Sequence, residues 1–195
     1  MRTLKWILIL LVILIFVWLL YTKLQERYYE PVQPGGKYKN TSRILKDLRY
    51  LYNGKYKVKS VESWSADGYS DPLMFEKEMK VLGNLVKNKD NEVLTIELTD
   101  LVKPKSHEDV RDKEIVTREA VHILHFLTKR ELEVHVKAVQ VHYTHQYGFL
   151  AVPKTTSIII PLEEFINKYD EYQKQGDSAD IRFVKLCLEF INYSK

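Results

Sequence analysis

One cysteine, Cys187, is all that the 195 residues hold, so no disulfide can form within the chain and no redox pair exists. Alanine is absent until Ala66, so no A-x-A-like cleavage pattern follows the N-terminal apolar run. There is no G-x-S-x-G nucleophile elbow. "PGGK", at Pro34–Lys37, lacks the flanking strand and helix that would make it a phosphate loop. Charge is missing altogether from Trp6 to Tyr21. These absences leave no motif that names a reaction.

What is present begins with that uncharged run. Sixteen residues from Trp6 to Tyr21 are apolar or aromatic, about 24 Å as a helix against a hydrocarbon core of about 30 Å. Leu4, Thr22 and Leu24 extend it. Lys5 and Lys23 can carry their ammonium groups out to headgroups, and Trp6, Trp18 and Tyr21 stand where interfacial aromatics collect. A cleaved signal peptide is the rival, since Arg2 and Lys5 also suit its basic start. The residues that follow, "TKLQERYYEPVQP", are bulky or charged and do not fit cleavage. The expectation is an uncleaved signal anchor with a short N-terminal tail over residues 1–24, then a stalk over 25–41 and one domain over 42–195. The short basic tail favours a cell-membrane protein whose C-terminal domain is extracytoplasmic. A domain facing the inner leaflet is the alternative orientation, since the basic residues flanking the span are nearly balanced. Much Lys and Ile with little Ala points to a bacterial source, and so to the cell envelope.

Pro31, Pro34, Gly35 and Gly36 mark the stalk. Ser42 is the expected N-cap of a helix carrying Ile44, Leu45, Leu48 and Leu51, stopped at Asn53-Gly54. "KYKVKSVESW" reads as a strand, Asp71-Pro72 opens a helix with Phe75, Met79, Leu82 and Val86 on one face, and "EVLTIEL" is a second strand. A charged loop, "VKPKSHEDVRDK", leads to a helix over about 113–129 with Val116, Ala120, Ile123, Leu124 and Leu127 buried. In "LEVHVKAVQVHY" the apolar alternation changes phase at Val139, which predicts a β-bulge. Its partner, "FLAVPKTTSIIIP", belongs at an edge because of Pro153. Two helices follow, the last burying Phe183, Cys187, Phe190 and Ile191. The class is α+β, with a mixed sheet of about four strands and about five helices. The order of elements resembles that of thioredoxin-like folds, in order alone.

Candidate chemistry is sparse. His122 and His125 lie one turn apart on a helix; His135, His142 and His145 lie on or beside a strand. A metal needs three or four such groups converging, and these are expected to face solvent on separate elements. Glu163 and Glu164 read as first-turn acids of a helix. The loop from Trp64 to Asp71 carries two aromatics and reads as core cover. Charge is polarised: Lys37, Lys39, Arg43, Lys46, Arg49, Lys55, Lys57 and Lys59 stand against one acid, Asp47, whereas from Ser60 onward acids outnumber Lys and Arg by 23 to 18. Such a basic stretch suits contact with an anionic surface.

The reading is a single-pass anchored protein with a binding or accessory domain and no catalysis. Its expected partners are membrane lipid and a protein of the envelope; no cofactor, metal or nucleic acid is implied. The runner-up is a tethered, possibly metal-dependent hydrolase using the histidines and residues 105–114.

Overall fold

The computed structural model describes residues 2–27, 29–53, 56–65, 92–100, 109–132, 136–146 and 152–194. They form two compact units, Met1–Pro31 and Val32–Lys195. The first is helix α1, Arg2–Arg27. Its described side chains, Trp6, Ile7 and the run from Ile9 to Tyr21, are all exposed. Among the described residues no helix is long and apolar enough to cross a membrane. In α1, side chains are described without a break only from Ile9 to Tyr21, short of the 17–25 residues that a span takes.

The second unit contains β1 (Lys37–Tyr38), α2 (Thr41–Leu51), β2 (Tyr56–Ser65), β3 (Glu92–Asp100), α3 (Asp109–Thr128), β4 (Glu131–Leu132), β5 (Val136–His145), β6 (Lys154–Pro161), α4 (Leu162–Lys174) and α5 (Ala179–Phe190), with a final 3-10 turn at Ile191–Tyr193. The class is α+β, and the main sheet is mixed, in the order β2-β3-β5-β6. β2 and β3 are antiparallel, β3 and β5 parallel, β5 and β6 antiparallel. The antiparallel β2–β3 pair departs from the parallel β-α-β unit that a thioredoxin-like order implies.

Register explains the core. Val61 lies opposite Ile96, Ile96 opposite Val141, and Val141 opposite Ile158, one apolar row across all four strands. Val58, Leu98 and Tyr143 form a second row. Onto this face pack Ile44 and Leu48 of α2, the Val116–Leu127 stripe of α3, Phe165 of α4, and Leu186 and Phe190 of α5. Each such side chain contributes about 1.5–3 kcal/mol on burial. The expected bulge exists: Glu92 faces Val136 while Val93 faces Ala138, leaving Lys137 as the extra residue. That insertion moves the apolar set from Val136 to Val139 and so keeps it on the core face. β6 is an edge strand, and Pro153 stands just before it.

Several expectations need correction. Asn40, not Ser42, caps α2; its Oδ1 accepts from the Arg43 amide at 3.0 Å, because Thr41 already begins the helix. The later part of the supposed stalk is packed into the domain. Tyr38 is fully buried, its hydroxyl donating to Asp47 Oδ2 at 2.7 Å, and the Val32 amide donates to the same oxygen at 2.9 Å. Gly35, at φ +80°, turns the chain so that its amide reaches the Lys129 carbonyl at 2.8 Å. Residues 109–112, expected in a loop, form the first turn of α3, which begins four residues before the expected start. The helix expected after Asp71, the loop from Ala66 to Asp71, and His135 lie outside the described residues.

Candidate functional site

α3 has two working faces. Its apolar stripe enters the core, and Arg118, His122 and His125, spaced i, i+4, i+7, fall on another side. They line a cleft of about 370 Å³ closed by Tyr169 of α4 and by Arg182, Phe183 and Leu186 of α5. α4 and α5 form a helical hairpin turned by Gly176 at φ +80°. The cleft is at the small end of ligand-site volumes.

One end of the cleft is electrically compensated. Glu119, 1% exposed, takes the Arg118 Nε–H on Oε1 at 3.0 Å, and its Oε2 lies 4.0 Å from His122 Nδ1. Tyr52 donates to the Glu119 carbonyl oxygen at 3.4 Å, and Arg118 Nη2 donates to the Tyr56 hydroxyl at 3.4 Å. Burial, and then the Glu119 carboxylate, push the Tyr52 phenol well above its ordinary pKa, so it stays a neutral donor. Burial works against the Arg118 charge, yet Glu119 and Tyr56 together outweigh it and the guanidinium holds its proton more firmly than usual. Tyr52, Tyr56 and Tyr143 meet edge to face behind this cluster, with centroids 5.6 and 6.0 Å apart.

The other end has a different balance. The His125 ring lies 5.3 Å from the Tyr169 ring. Arg182 is placed 5.4 Å over the opposite element of that contact, the Tyr169 ring, and its Nη1 donates to the Asp177 carbonyl at 2.6 Å. Burial first, then the charges of Lys129, His122 and Arg182, lower the His125 pKa.

The other described histidines, His142 and His145, lie on β5. His142, expected to face solvent, is 5% exposed. β5 is a central strand and is buried on both faces from Ala138 to Tyr143, so alternation does not mark an open side there. His145 is buried with its Nε2 3.4 Å from Asp112 Oδ2 of α3. Among the described residues no three His, Cys, Asp or Glu side chains converge as metal ligands.

The basic stretch is divided in the same way. Arg43 lies 3.7 Å from buried Asp47, and Arg49 donates to the carbonyls of Val58 at 3.0 Å and Lys59 at 3.3 Å, tying α2 to β2. Lys37 lies 4.0 Å from Glu131. Lys39, Lys46, Lys57 and Lys59 are exposed, and Lys55 lies outside the described residues. Of the residues expected at a membrane interface, Trp6, Trp18 and Tyr21 are exposed by 70, 64 and 59%. Nothing is described of the Lys5 and Lys23 side chains.

Sequence reading singled out His122 and His125 but expected them to face solvent, whereas both are half-buried at the cleft, and it missed Arg118, Glu119, Tyr169 and Arg182. The i, i+4, i+7 spacing of Arg118 with the two histidines was available on α3; Tyr169 and Arg182 arrive from distant sequence and had no local signature. Comparison with known protein families, with curated proteins and with solved structures gives no match.

Proposed function

We propose that the chain is a single-pass membrane-anchored protein whose α+β unit binds a ligand outside the cytoplasm and carries out no catalysis. One observation carries the anchor: every described side chain of α1 from Ile9 to Tyr21 is apolar or aromatic and stands exposed on all sides of the helix. A helix apolar all round has its natural solvent in lipid. The backbone of α1 is continuous for 26 residues, about 39 Å, so its polar ends extend the apolar run of about 24 Å on both sides toward headgroup depth.

The binding reading is supported by the cleft. It combines ordered polar groups with aromatic walls. The competing hydrolase has less support. Its described histidines are divided between the cleft, the opposite sheet face and the Asp112 pair, and part of its loop is helix. Lys39, Lys46, Lys57 and Lys59 are the exposed cations left for an anionic surface, and a protein of the envelope remains the expected partner.

Alkaline carbonate extraction combined with protease treatment of intact cells tests the reading. The chain should stay with membranes and its domain should be digested from outside. Release by carbonate, or protection of the domain until lysis, would overturn the anchor or the orientation respectively.

A further inference from the structure

We infer that the His125–Arg182 end of the cleft is a recognition site for a small ligand carrying an oxyanion, phosphate or carboxylate, on a flat apolar body. The inference rests on reading the domain as a binder, and it is independent of the anchor.

Three observations meet at this end. First, the cations are unevenly used. Arg118 is matched by Glu119 within 3.0 Å, whereas among the described residues the Arg182 guanidinium meets a carbonyl and an aromatic face and no carboxylate. Its Nε–H is shielded from solvent and has no acceptor among the described residues. An unmatched buried donor costs about 1–3 kcal/mol, which an incoming acceptor would recover once the Arg182 side chain turns this N–H toward the cleft it lines. Second, the charged groups acting on the His125 ring are Lys129 and His122 of its own helix and Arg182 of α5, all cationic or able to be so. Two carboxylates also line the cleft. Glu119 is held by Arg118, and Asp180, in the first turn of α5, is exposed to water. Third, Tyr169 and Phe183 supply flat apolar walls beside these donors. A guanidinium beside aromatic surfaces suits a planar body bearing an anion, because Arg can give a directed N–H while ring faces take the apolar part. The cleft volume of about 370 Å³ limits the ligand to a small molecule.

Phenyl phosphate and neutral phenol form the discriminating pair of probes. The full chain, in detergent micelles and labelled at histidine, is titrated with each at constant ionic strength while the imidazole resonances are followed. Phenyl phosphate should shift His125 and His122 saturably, with Kd at or below about 1 mM, and leave His142 in place. Bound anion should also let His125 hold its proton to higher pH. Arg182→Gln should weaken binding by about tenfold or more, and Arg182→Lys by less. Because Arg182 also braces Asp177 and Tyr169, the comparison of probes on the unaltered protein stands as an independent test.

Absence of a saturable shift, or equal binding of phenol, overturns the oxyanion site; the second result would leave a binding cleft of apolar preference. Retained affinity in a folded Arg182→Gln protein overturns the assignment to Arg182. Release of phenol and inorganic phosphate would support the oxyanion site but overturn the non-catalytic reading. Inorganic phosphate, acetate and a short-chain phosphatidic acid in the same assay separate a free phosphate, a carboxylate and a lipid headgroup as the source.

Discussion

α1 and α3 are the two longest described helices, with 26 and 20 residues, and they differ in where their apolar side chains point. In α1 every described side chain is apolar or aromatic and exposed. In α3 Val116, Ala120, Val121, Ile123, Leu124 and Leu127 are buried and Ile115 and Phe126 pack half-buried against the same core, while Arg118, His122 and His125 border a cleft. Helical geometry is common to both; the angular distribution of side chains is not. A helix with one apolar stripe finds its partner within the fold. One that is apolar all round needs cover on every side, from other protein or from lipid.

The comparison can be broken most strongly at α1. Leu11→Lys together with Ile15→Lys should abolish retention in carbonate-washed membranes, since each charge at mid-span costs about 2.5–3.5 kcal/mol. The unfolding midpoint of the domain should not move. Retention of the double variant would remove the distinction drawn here. The reciprocal change is Leu124→Ala in α3. It should cost about 2–5 kcal/mol in denaturant titration of the detergent-solubilised chain and leave membrane retention intact.

A smaller loss is expected at Asp47, which has no counterpart in α1. This fully buried carboxylate accepts from Val32 and Tyr38 and lies beside Arg43. Asp47→Ala should cost about 3 kcal/mol and loosen residues 32–38, measured as faster amide exchange; Asp47→Asn should cost less.

Two subtler measurements sharpen the description of the helical layer around α3. Burial raises the Cys187 thiol to about 11 from an ordinary 9.0. Its alkylation at neutral pH should therefore be about 100-fold slower than in the unfolded chain. At His125 the folded pKa lies below the unfolded value of about 6.5, so the folded state binds fewer protons. Its contribution to stability is present above that value and is lost as pH falls through the folded pKa. His125→Gln should flatten the stability profile across this mildly acidic window, with little change at pH 8.

Much of the fold was legible because local pattern and tertiary role agree. The stripe of α3, the phase change at Val139 and the edge position announced by Pro153 all appear in the structure. Legibility failed where pattern has more than one outcome. Alternation along β5 suggested an open face for His142, but a central strand can be buried on both sides. Pro and Gly suggested a free stalk, yet Asp47 collects the Val32 amide and the Tyr38 hydroxyl and draws that segment in. Asn40 and Ser42 both suit a cap, and only the backbone geometry selects Asn40.

The order of residues by itself determined the all-round apolar character of α1, the amphipathic face of α3 and the α+β class, because these depend on the spacing of side chains along a regular backbone. Tertiary structure alone decided the cleft, the matching of Arg118 with Glu119, and the setting of Arg182 beside Tyr169 and His125. Those groups come from separate helices, and the distance between side chains on different elements is fixed by packing against the sheet, which no local spacing encodes.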